Sequence, residues 1–80
     1  MEACQADSLY DAADLGCGDL AIALMKAVRA IAPGQLLEFR ANDPGAVIDI
    51  PAWCSMTGNT LIAGPTGANG NSYFIRKKGN

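Results

Sequence analysis

The sequence predicts an α+β fold: a two-layer α/β sandwich of order β-α-β-α-β-β, with both helices on one face of a mixed four-stranded sheet. Three observations predict it. Apolar residues recur at helical spacing through residues 19–32, alternate with charged ones through 35–41, and form two short runs near the end joined by a glycine-rich connection. The chain has 80 residues, half of them hydrophobic. That suffices for one modest core, so residues 1–80 are read as a single domain with 1–7 a frayed N-terminal segment.

Each element has a local reason. Residues 8–12 form a short strand with Leu9 as its apolar side chain. The turn Asp14-Leu15-Gly16 leads to the helix of residues 19–32. There Leu20, Leu24, Ala27, Val28 and Ile31 line one face, Lys26 and Arg29 the other, and Pro33-Gly34 is the stop. In residues 35–41, Leu37, Phe39 and Ala41 point one way and Glu38 and Arg40 the other, as in a half-buried strand. Asn42-Asp43-Pro44-Gly45 breaks it. A second helix fits residues 46–57, in two parts, because Pro51 is best placed in a first turn with Asp49 as its cap; Gly58-Asn59 ends it. Residues 60–63 and 72–77 then read as a hairpin with a long loop. The sheet face away from the helices is expected to carry Glu38, Arg40 and Arg76 or its neighbours, and to be a surface open to a partner.

Composition removes several function classes. There is no histidine, so Cys/His zinc ligation, Ser-His-Asp or Cys-His catalysis and a histidine base are excluded within the chain. A formal charge of −2 argues against strong direct nucleic-acid binding. The longest apolar stretch, residues 20–32, is interrupted by Lys26 and Arg29, so no membrane association is expected. The start of the chain resembles no signal or transit peptide. Cys4, Cys17 and Cys54 are odd in number and spaced as neither a redox pair nor a metal knuckle, so reduced thiols, a cytoplasmic location and no metal are expected.

Charge is segregated along the chain. Glu2, Asp7, Asp11, Asp14 and Asp19 precede any base, while Arg76, Lys77 and Lys78 cluster near the end. Solubility with a basic strand edge is the simpler explanation, and a docking patch is the alternative. The three bases could meet RNA phosphates or an acidic patch on a partner protein.

Cys17 stands at a strand-to-helix turn directly before the best-defined helix. Free amide N–H groups and the positive end of the helix dipole point there, an environment that lowers a thiol pKa from about 8.5 toward neutrality and holds a persulfide anion the same way. Asp19, in the first turn, sets a like charge nearby yet suits the dipole and can cap the helix. The other reading of Cys17 is a small apolar residue packed at a turn. Cys54 follows Trp53 and reads as core, with a resolving thiol as its functional alternative; Cys4 lies in the frayed segment. Trp53 reads as a core anchor, Asp43 as a turn and cap residue rather than a catalytic carboxylate, and Gly64 to Gly70 as a flexible turn that lacks the lysine of a phosphate loop.

Leu9-Tyr10-Asp11, Leu15 and Cys17 before an amphipathic helix, Pro33-Gly34-Gln35, Asp43-Pro44, Asp49-Ile50-Pro51-Ala52-Trp53 and Gly58 together resemble the TusA/SirA/YeeD sulfurtransferase family from Leu9 to Lys77. The resemblance implies a β-α-β-α-β-β sulfur carrier in which Cys17 receives sulfane sulfur as a persulfide and passes it on, with Gly18 and Asp19 supporting it and Cys54 as a possible second thiol. It implies a donor protein such as a cysteine desulfurase or rhodanese, a downstream acceptor protein, and no cofactor beyond the transient persulfide sulfur. Where the family has Cys-Pro-x-Pro, this chain has Cys17-Gly18-Asp19-Leu20; Asp14 replaces a glycine and Asn59 stands where histidine is frequent. Gly18 loosens the turn but keeps an N–H that proline would remove. Two alternatives to the carrier remain: a non-catalytic binding or regulatory module on the same fold, and a thiol redox switch using Cys17 and Cys54.

Overall fold

A computed structural model describes residues 6–13 and 15–79, and the backbone alone of Cys17. Cys4, Asp14 and most of the segment expected to fray lie outside the described residues. The elements are β1 (Ser8–Asp11), α1 (Cys17–Arg29), β2 (Leu36–Arg40), α2 (Ala46–Thr57), β3 (Thr60–Thr66) and β4 (Ser72–Arg76). The sheet runs β1-β2-β4-β3, with β1 parallel to β2 and the other two pairs antiparallel. It is the mixed four-stranded sheet with two helices that the sequence predicts.

Register explains the single core. Leu37 lies opposite Ile75 and Phe39 opposite Tyr73, so four buried side chains fall on one face of the two central strands. They join Leu20 and Leu24 of α1 and Ile50 and Cys54 of α2 in one cluster. Both helices therefore cover the same face. Tyr10 of β1 extends it by stacking on Phe39, ring centroids 5.5 Å apart. On the other face Glu38 and Arg40 form an ion pair of 3.0 Å, and the same Glu38 Oε2 accepts from Ser72 Oγ.

Helix α1 starts two residues before the expected position and ends three before it. Its end tightens: the Ala30 N–H reaches both the Lys26 and Ala27 carbonyls, and the Ile31 N–H bonds Val28 O at 3.3 Å. Lys77 Nζ donates to Ile31 O at 2.8 Å and Arg76 Nη1 to Gly34 O at 2.7 Å. The C-terminal bases thus cap the exit of α1 and the turn into β2.

Helix α2 is one element, which corrects the two-part reading. Pro51 lies in its interior, and Asp49 does not cap it; Gly45 is the N-cap and bonds the Asp49 N–H. The stripe Ala46, Ile50 and Cys54 is buried at helical spacing, and this contact with the core outweighs the hydrogen bond the proline ring removes. Gly58, at φ 82°, ends the helix in the left-handed region.

Strand β3 also departs from expectation by continuing through Gly64 and Pro65 to Thr66, which leaves a turn of residues 67–71. It pairs with β4 through two register shifts, one between Leu61 and Ala63 and one between Ala63 and Thr66. Gly64 is required there: a Cβ would lie 2.7 Å from Ser72 O.

Candidate functional site

The site is built where β1 hands over to α1. Asp11 Oδ1 accepts the Ala13 N–H at 2.9 Å, which supports Ala13 at φ 53°. The Ala12 N–H bonds Arg40 O at 2.8 Å and the Asn42 N–H bonds Ala13 O at 3.0 Å, so this turn is tied to the end of β2. Leu15 packs partly against the core. Gly16 then serves as N-cap, and the first ladder bond runs from the Leu20 N–H to Gly16 O at 2.7 Å.

Cys17, Gly18 and Asp19 are therefore the first three helical positions, whose amides have no partner in the helix ladder. A glycine N-cap has no side chain with which to satisfy them. A Cβ added at Gly16 or Gly18 would meet nothing within 4 Å, so the helix start is open. Partial positive charge and free donors at an open helix start suit an anion at position 17, whether thiolate or persulfide. Asp19 is exposed and makes no cap hydrogen bond. It lines a cleft of about 210 Å³ with Tyr10, Leu15, Ile22, Ala23 and Lys26.

A larger groove, about 300 Å³, lies between the helices and is lined by Leu20, Ala21 and Leu24 of α1 and Asp49, Ala52, Trp53 and Met56 of α2. Sequence reasoning missed it. The signal was present as two stripes at helical spacing, 20-21-24 on α1 and 49-52-53-56 on α2. The alanine in each stripe is too small to fill the space. Trp53 does double duty: it packs against the core and forms a wall of the groove.

The other predicted residues are placed as follows. Cys54 is 2% exposed, and burial pushes its pKa from an ordinary 9.0 to about 11. It is held as a thiol in the core. Asp43 Oδ2 accepts the Gly45 N–H at 3.0 Å, in keeping with a turn role. Asn59 joins the end of α2 to the C-terminal segment, accepting the Lys78 N–H and donating to Thr57 Oγ1. The glycine-rich segment closes by a bond from the Gly70 N–H to Gly67 O. Arg76 and Lys77 bind backbone carbonyls rather than forming a free basic patch. Among the described residues no three of His, Cys, Asp and Glu converge on a metal site, and no helix is long and apolar enough to cross a membrane.

The chain matches the family described as Sulfurtransferase TusA over residues 9–77. It is 39% identical over 72 residues to the "Sulfur carrier protein TusA" of Pseudomonas paraeruginosa, covering 90% of this chain and 91% of that protein. The Pseudomonas aeruginosa protein of the same description gives the same figures. That of Pseudomonas putida is 38% identical over 72 residues, 90% of each chain.

Proposed function

From the premise that this chain belongs to the TusA sulfurtransferase family, we propose that it is a sulfur carrier whose Cys17 accepts sulfane sulfur from a donor protein and yields it to an acceptor protein. The Cys17 thiolate attacks the outer sulfur of a donor persulfide. A bond forms between Cys17 Sγ and that sulfur, the donor's S–S bond breaks, and the donor leaves as a thiolate, with no net oxidation or reduction. Delivery repeats the exchange, with the acceptor as nucleophile. The donor is a persulfide-bearing enzyme of the cysteine desulfurase or rhodanese type.

The observation that carries this reading is the open start of α1 at position 17, capped by a glycine with free space at Gly16 and Gly18. The chain has no histidine to act as base, so the attacking thiol must already be ionised, and a helix N-terminus favours that ionisation. Burial of Cys54 and its raised pKa argue against the thiol redox switch.

The test is intact mass after incubating the reduced protein with a small-molecule persulfide donor. A gain of one sulfur is expected in the wild type, Cys4→Ser and Cys54→Ala, and none in Cys17→Ser. A gain that persists in Cys17→Ser refutes the role of Cys17; no gain in any of the four favours the non-catalytic module.

A further inference from the structure

We infer that the groove between α1 and α2 is a docking site for a short apolar, base-bearing segment of the partner protein, seated alongside the sulfur on Cys17. This rests on the carrier reading and adds the chemistry of the partner. Leu20, Ala21 and Leu24 form one wall of the groove, and position 17 lies about one turn before them at the start of the same helix, so a segment lying in the groove is led toward the sulfur-bearing turn. The other wall, from Asp49 to Met56, spans seven helical steps, roughly 10 Å. That accommodates about three extended residues.

Two properties define the occupant. The lining is apolar apart from Asp49, and Met56 at its rim is 78% exposed. An open apolar groove with an exposed methionine at its rim fits a protein segment. The charge is acidic. Strands β1 and β2 are parallel and each feeds a helix, so Asp11, Asp19, Asp43 and Asp49 gather at the end of the sheet where both helices begin. Arg76 and Lys77 are drawn to the opposite end by their bonds to Gly34 O and Ile31 O, Arg40 at the acidic end is paired with Glu38, and Lys26 shares the smaller cleft with Asp19, so that Asp49 is the carboxylate lining the groove itself. A cation on the incoming segment complements these carboxylates. It also offsets their repulsion of an anionic sulfur at position 17, supplying a counter-charge where this chain has no imidazole.

The test uses two synthetic peptides that carry the same persulfidated cysteine and apolar triplet and differ only in flanking Arg or Glu, with a small-molecule persulfide in parallel. At low salt the Arg peptide is expected to load Cys17 about fivefold faster or more than the Glu peptide, a few exposed charge contacts in size. At about 0.5 M salt, where screening is strong, and in Ala52→Trp, which fills the groove, or Met56→Lys, which repels a base at an exposed position, the advantage should fall to about twofold or less. The small-molecule donor should load both variants as it loads the wild type. The Arg peptide with serine in place of cysteine should move the Trp53 indole resonance. Normal small-molecule loading with no peptide preference, or an unmoved Trp53, overturns the docking inference alone; failure of the small-molecule donor to load the wild type overturns the carrier reading and this inference with it. Groove resonances that move with protein concentration alone would assign the groove to a second copy, and contacts from residues 1–5 would assign it to the chain's own start; either overturns the inference.

Discussion

Cys54 keeps its proton because the core around it does not solvate a thiolate. Its pKa of about 11 when folded exceeds the 9.0 of an ordinary thiol. Between those values the unfolded chain releases a proton that the folded chain retains, so stability must fall as pH rises through this window. At 1.36 kcal/mol per pKa unit the full loss is about 2–3 kcal/mol, reached above pH 11 and absent below pH 9. Tyr73, also raised by burial, adds in the same direction. Urea unfolding from pH 8 to 11.5 should therefore show a shallower decline in Cys54→Ala than in the wild type, and parallel declines would contradict the assignment. The core position of Cys54 was legible from its place beside Trp53. The destinations of Arg76 and Lys77 were not, because the carbonyls they bind lie more than forty residues earlier in the chain and only the folded backbone brings them near.

Helix α2 sets local preference against tertiary packing. The sequence favours a proline in a first turn, yet the buried stripe of Ala46, Ile50 and Cys54 carries the helix straight through Pro51. The carbonyl left without its ladder partner is that of Val47, a half-exposed residue that water can reach. The arrangement costs less than a proline in a dry helix, but it still costs. Pro51→Ala is expected to raise stability by about 1–3 kcal/mol in chemical denaturation, whereas a loss would mean that the ring's packing exceeds its backbone penalty. Strand β3 was under-read for a related reason. Gly64 and Pro65 look like loop residues, and the strand nevertheless continues through them because β3 lies at the sheet edge, where a missing N–H need not break a ladder. The elements whose periodicity agrees with their packing, α1 and β2, were read to within three residues.

Across the whole molecule, the order β-α-β-α-β-β could be derived from the chain because period and punctuation change at each boundary. The groove could not, since a void depends on how two helices lie against each other rather than on either alone. The core rests on a few side chains of the central strands. Phe39 is 0% exposed, and a buried Phe→Ala change costs about 3–5 kcal/mol. A chain of this length has roughly 4–12 kcal/mol in total, so Phe39→Ala should show a urea midpoint lowered by about a quarter or more, and an unchanged midpoint would contradict this account of the core. The register shifts of β3 have a further consequence. With two irregularities and a proline on one edge, and only the four residues of β1 on the other, neither side of the sheet offers the unbroken row of backbone donors and acceptors that an incoming strand needs. Two copies meeting by chance cannot zip together, and neither can a copy and the protein it visits. Encounters confined to side chains are ones the molecule can leave, and leaving is half of what a courier must do.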